Sequence, residues 1–145
     1  NESAKRGLEL FESERLSCSG CHSGFNLTDY TFKNNGLAVA YADSGRMRVT
    51  AMPDDRDKFK VPSLRNIAFT APYMHDGRFN TLEEVIEFYS TGKKLSPTID
   101  VNMLKPNHAN GGLNLSEEDK QALLDFLHTL TDTTFTHNPM LQDPF

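Results

Sequence analysis

Cys18 and Cys21 are the only cysteines in this 145-residue chain; they stand three apart, and His22 follows directly. A disulfide between such close residues would shut almost no loop and would remove little unfolded-state entropy. The pair therefore needs another partner. Two thiols on a short helical segment can reach the two vinyl groups at one edge of a porphyrin, and the next residue's imidazole then points at the iron. C-x-x-C-H is on these grounds a c-type haem attachment site, holding one covalent haem per chain. A zinc site would need a second ligand pair. No two of the remaining histidines, His75, His108, His128 and His137, are close enough to supply one. A thioredoxin-like pair would follow a strand in a βαβ pattern, and no such pattern occurs.

The sequence around the motif fits a chain built on a large cofactor. From Ser23 to about Arg65 it is irregular, with turn signals at Asn34-Asn35-Gly36, Asp43-Ser44-Gly45 and Pro53-Asp54-Asp55. Forty residues with little regular structure are unusual in a compact domain, unless they pack on a haem instead of on themselves. A short hairpin near Met47–Ala51 and a short helix from Pro62 to Asn66 are compatible with this segment. Ser3 can cap a first helix over about residues 4–16, with Ala4, Leu8 and Phe11 on one face. His75-Asp76-Gly77 reads as a tight turn. Thr81-Leu82-Glu83-Glu84 is a capping box. It opens a helix whose Leu82, Val85, Ile86 and Tyr89 share one face and which stops at Gly92. Lys93–Leu115, with Pro97, Pro106 and Gly111-Gly112, is irregular again. Ser116 to Asp119 is a second capping box, opening a helix with Leu123, Leu127 and Leu130 in its stripe and Phe126 beside it. The polar tail contains Pro139 and Pro144. The expected fold is all-α, with three to five helices and long loops wrapped around the haem.

The length suits a single domain, residues 1–145. The apolar share of 37% and charged share of 24% are those of an ordinary globular chain. No apolar run approaches the roughly 18 residues of a membrane span, and no charged-then-apolar leader opens the chain. The net charge of −5 disfavours nucleic acid as a partner. It favours a redox partner that is basic at its contact face.

A haem iron bound by His22 has a sixth position. A Met ligand raises the potential, a Tyr ligand lowers it, and an open site permits peroxide or oxygen chemistry. The candidates are Met47, Met52, Met74, Met103, Tyr73 and Tyr89, and composition does not choose among them.

One continuous stretch carries a family resemblance. It comprises Phe59-Lys60-Val61-Pro62-Ser63-Leu64-Arg65-Asn66, Thr70-Ala71-Pro72-Tyr73-Met74-His75-Asp76-Gly77 and Thr81-Leu82-Glu83-Glu84-Val85. With C-x-x-C-H, it resembles the C-terminal haem domain of bacterial di-haem cytochrome c peroxidases and the related MauG-type maturation enzymes. The resemblance runs from the helix before Cys18 to the last helix and implies a cytochrome c-like domain. In that family this half holds the haem at which electrons enter. The other half holds the haem that meets hydrogen peroxide, and a tryptophan lies between them. Here there is one C-x-x-C-H and no tryptophan, so the expectation is the second half of a longer enzyme, without its N-terminal haem domain. A stand-alone single-haem relative is the alternative.

The resemblance also implies roles for particular residues. The distal ligand of this haem is a methionine in the peroxidases and a tyrosine in the maturation enzymes, on the helix after the Thr81 box. Counted from Thr70 and Pro72, that position is Tyr89, with Met103 as the rival. The backbone carbonyls of Thr70 and Pro72 match positions that bind calcium between the two domains, with an Asn of the first domain completing the site. Arg65 is a candidate contact to a haem propionate, and His75 a propionate or turn-stabilising residue. The implied activity is peroxide reduction with electrons from a small cytochrome or cupredoxin. An electron-transfer module and a MauG-like oxidase acting on a protein substrate are the alternatives. A periplasmic or otherwise extracytoplasmic location is expected, with the chain itself a candidate homodimer.

Overall fold

The first helix, α1, runs Glu2–Glu12 and begins where the Asn1 side chain accepts a hydrogen bond from the Ala4 amide at 2.7 Å. Asn1 is therefore the cap, in place of Ser3, and the helix starts earlier than expected. It also ends earlier, because Ser13 turns extended and its hydroxyl donates to the Leu10 carbonyl at 2.6 Å. The computed structural model describes residues 1–105 and 111–141, apart from the side chain of Phe135. Pro106, His108 and Pro144 lie outside the described residues.

Helix α1 packs across a long C-terminal helix. The buried face of α1 is Ala4, Gly7 and Phe11, whereas Leu8, expected on it, is 39% exposed. Gly7 explains the rotation. A Cβ there would sit 2.0 Å from the Ala122 carbonyl oxygen and 2.7 Å from the Phe126 Cβ, so only glycine allows the two backbones this close. Phe11 and Phe126 meet beside it with ring centroids 5.1 Å apart. The buried Asp119 carboxylate accepts from Arg6 at 2.7 Å and from Arg15 at 3.2 Å, tying the same two helices together.

The middle of the chain is irregular, as expected. β1 (Phe32–Lys33) pairs antiparallel with β2 (Phe59–Lys60), Phe32 opposite Lys60 and Lys33 opposite Phe59. Between them, α2 (Met47–Thr50) is one helical turn closed by Ala51 at φ 56°, where a hairpin was expected. The segment has no partner strand within itself, because Arg46 donates to the Lys58 carbonyl at 2.9 Å instead. Pro62 to Asn66 forms no helix. Asn66 takes a positive φ of 55°, and a 3₁₀ turn follows only at Ile67–Phe69.

The Thr81 box is complete. The Thr81 hydroxyl accepts from the Glu84 amide at 3.2 Å, and the Glu84 carboxylate accepts from the Thr81 amide at 3.0 Å. It opens α3 (Leu82–Glu87), which widens into a π turn over Phe88–Gly92 and stops at the glycine, as expected. α4 (Glu117–Thr129) starts at Ser116, whose side chain accepts from the Asp119 amide. A short α5 (Thr133–Thr136) follows. Phe11 and Leu16 join Leu64, Leu82, Ile86, Leu115, Leu123, Phe126 and Leu127 in the main core. Leu37, Tyr41 and Phe88 form a second cluster.

Two outcomes follow from the α1–α4 contact. Gly7→Ala forces the helices apart and lowers the unfolding free energy by about 1–3 kcal/mol, as overpacking does; an unchanged denaturant midpoint would show that the contact has room. Hydrogen bonds from Arg6 hold the Asp119 carboxyl below the usual carboxylate range. Its contribution to stability is full above the unfolded value of about 3.9 and is lost as pH falls through the lower folded value. Asp119→Asn removes that component, so denaturation curves from pH 5 to 2 will show a shallower loss of stability in the variant.

Candidate haem site

Most of the core side chains also line a cavity of about 500 Å³, within the range of roughly 300–1,000 Å³ usual for cofactor and ligand sites. Its apolar wall includes Leu16, Leu64, Leu82, Ile86, Leu115, Leu123 and Leu127. Cys18, Cys21 and His22 open into the same space. Ser17, at φ 57°, ends the approach from α1, and a 3₁₀ turn over Cys18–Gly20 then presents the two cysteines. The His22 amide closes on the Cys18 carbonyl at 2.9 Å.

The imidazole of His22 is set up to bind a metal through one nitrogen. Its Nδ1 lies 3.1 Å from the Leu27 carbonyl oxygen. That contact assigns the proton to Nδ1 and leaves the lone pair of Nε2 available to a metal, the arrangement usual for a ligating histidine. Burial pushes the His22 pKa down, which keeps the ring neutral as ligation requires.

Burial pushes Cys18 up to about 12 and raises Cys21 as well, whereas reactive CxxC pairs hold a thiolate at depressed pKa. Among the described residues no three His, Cys, Asp or Glu side chains converge to hold a metal ion by themselves. An apolar cavity, paired thiols and one imidazole with a free Nε2 fit a haem c.

The other predicted residues separate clearly. Tyr89, Met74, Met103 and Tyr73 all line the cavity. Met47 and Met52 do not; Met52 is exposed. The Tyr73 hydroxyl donates to the Ile67 carbonyl at 3.0 Å. The Tyr89 oxygen accepts from Asn35 Nδ2 at 3.3 Å, and the same nitrogen lies 3.4 Å from the Met74 sulfur. Burial drives the Tyr89 phenol up to about 12, with the Asn35 contact acting in the opposite sense. His75 also lines the cavity and stacks on Phe59 at 3.8 Å between centroids. Thr70 and Pro72 are exposed residues at the edge of the same space.

Arg65 is not brought to the cavity. Its guanidinium donates to the Phe25 carbonyl at 2.8 and 2.5 Å and lies 4.6 Å from the Phe25 ring centroid. The cations that do line the cavity are Lys33, Lys60 and Lys93. Lys33 pairs with Asp100 at 3.1 Å, and Lys93 donates to the Met103 carbonyl. These lysines and Asn35 were missed in the sequence, because single polar residues in irregular segments carry no periodic signal.

No protein-family model matches the chain. It is 39% identical over 132 residues to methylamine utilization protein MauG of Methylorubrum extorquens, covering 88% of this chain and 34% of that protein. It is 32% identical over 149 residues to cytochrome c peroxidase Ccp of Escherichia coli K12, covering 96% of this chain and 27% of that protein. The crystal structure of a MauG-like protein associated with microbial copper homeostasis superposes with a TM-score of 0.88 at 35% identity, over 99% of this chain and 48% of that one. This chain belongs to the MauG and cytochrome-c peroxidase family. The diheme peroxidase BthA of Burkholderia thailandensis shares the fold, with a TM-score of 0.75 over 92% of this chain and 43% of that one, at 21% identity. The cytochrome c-like architecture, rich in helix with one small two-stranded sheet where an all-α fold was expected, is thus that of MauG-like and diheme peroxidase proteins. The chain spans 34% and 27% of the MauG and Ccp relatives it matches. Among the described residues, no helix is long and apolar enough to cross a membrane.

The protonation state of the thiols gives a direct check. In the folded, haem-free chain at pH 8, iodoacetamide will label Cys18 and Cys21 much more slowly than in urea. Rapid labelling of the folded chain at neutral pH would mark a thiolate and support the redox-pair alternative.

Proposed function

We propose that this chain is the haem domain at which electrons enter a two-haem peroxidase of the MauG and cytochrome-c peroxidase family, corresponding to the C-terminal half of such an enzyme. The observation that carries the reading is the meeting of Cys18, Cys21, His22 and Tyr89 on one apolar cavity. A bound haem c supplies reversible one-electron chemistry at its iron. Cys18 and Cys21 would hold the haem covalently, and His22 through Nε2 and Tyr89 through its oxygen would bind its iron. The leucine wall excludes water and keeps the local dielectric low. Lys33, Lys60 and Lys93 supply positive charge for the propionates, in the role expected of Arg65. Thr70 and Pro72 contribute carbonyl oxygens to a calcium ion shared with the preceding domain.

In the whole enzyme, electrons from a small cytochrome or cupredoxin pass through this domain toward hydrogen peroxide, in the periplasm. A second reading is favoured by Tyr89 specifically: a MauG-like oxidase that stores oxidising equivalents and modifies a protein substrate. The relatives named above include both kinds. Steady-state peroxide consumption by the full-length protein with a reduced small cytochrome supports the first reading. Peroxide consumption that requires a protein substrate, and leaves that substrate modified, supports the second. A native reading frame with no second C-x-x-C-H would contradict both and leave an electron-transfer module.

The ligand assignment is tested on the haem-loaded chain. Tyr89→Phe abolishes the tyrosinate-to-iron absorption and raises the midpoint potential. Optical and EPR spectra identical to wild type would remove Tyr89 from the site.

A further inference from the structure

The loop at Asn34-Asn35-Gly36 is far more tightly built than a surface turn. Asn34 is 1% exposed, and both ends of its amide are used. Its Nδ2 donates to Ser96 Oγ at 2.9 Å and Thr98 Oγ1 at 3.0 Å, while its Oδ1 accepts from the Gly36 amide at 2.9 Å and the Tyr41 hydroxyl at 2.8 Å. Gly36 follows at φ 76°, and a Cβ there would meet the Lys94 carbonyl oxygen at 2.6 Å. The Lys94 amide in turn donates to the Gly36 carbonyl at 2.7 Å. Asn35 is therefore fixed on both sides by backbone that cannot shift without breaking a buried network.

That rigid loop delivers one group to the cavity. The Asn35 amide nitrogen reaches the Tyr89 oxygen at 3.3 Å and the Met74 sulfur at 3.4 Å. One –NH₂ carries two hydrogens, so it can serve both acceptors at once. An amide donor stabilises negative charge on the phenol oxygen. A fixed donor also restricts where that oxygen sits, because the side chain must keep the contact.

We propose that Asn35 is the positioning residue that holds Tyr89 as the sixth ligand of the haem, through its hydrogen bond to the phenol oxygen. The inference rests on the reading of Tyr89 as that ligand. It adds that ligation depends on a residue 54 positions away in sequence, on an otherwise irregular loop. Asn35 does not touch the iron; it acts through Tyr89.

The test uses the haem-loaded chain and reads optical and EPR spectra with the midpoint potential. Asn35→Leu removes the donor. Asn35→Asp keeps the shape of the side chain and replaces the donor with an acceptor, so it retains the fold if Asn35→Leu does not. Both are expected to shift or abolish the tyrosinate-to-iron absorption; in Asn35→Leu, which adds no charge, the midpoint also moves upward as the anionic oxygen ligand that favours ferric iron is lost. Asn35 variants with wild-type spectra would overturn the proposal. Failure of the underlying reading has a different signature: Tyr89→Phe itself would leave the spectra unchanged.

Discussion

The leucines that close the main core of this chain are the same residues that line its cavity. Leu16, Leu64, Leu82, Ile86, Leu115, Leu123 and Leu127 pack against one another on one side and face the cavity on the other. Apolar burial is the main favourable contribution to folding, and here much of it is arranged around a space that the polypeptide does not fill. Gly7, Ala122 and Phe126 at the α1–α4 crossing, and Leu37, Tyr41 and Phe88 in the second cluster, are packed parts of the protein that do not line the cavity. This constraint accounts for the long irregular segments, which have a surface to lie on other than their own side chains.

The segment Cys18 to His22 sits at the end of that arrangement. Helix α1 ends at Glu12, Leu16 enters the core at 1% exposure, and the next turn delivers both thiols and the imidazole to the cavity. The Leu27 carbonyl then fixes which nitrogen of His22 remains free. Across the chain, the π turn after α3 carries Tyr89 into the same space. Widening the helix at Phe88–Gly92 leaves Phe88 in the second core cluster while Tyr89 lines the cavity.

Much of this was legible before the structure, because the signals were local and chemical. C-x-x-C-H, the Thr81 box, the stop at Gly92 and the Ser116 start depend on neighbours within a few residues. The errors arose where distant contacts decide. Leu8 fits an apolar stripe, but the approach of α4 at Gly7 turned the buried face away from it. Met47–Ala51 looked like a hairpin, but Lys58 is the partner of Arg46. Arg65 matched a motif position, yet a carbonyl 40 residues upstream takes its guanidinium. Asn35 was visible only as a turn residue, and its reach to Tyr89 required the fold.

The central claim is that the chain holds one covalent haem through Cys18, Cys21 and His22. It is tested most directly by the intact mass of the chain, matured in a host with haem-attachment machinery and then treated with acid-acetone. The account predicts one species, the mass of the chain plus one haem, with no haem extracted and with loss of that mass in the Cys18→Ser/Cys21→Ser chain. A chain that matures at its bare mass, or that yields its haem to acid-acetone, would contradict it.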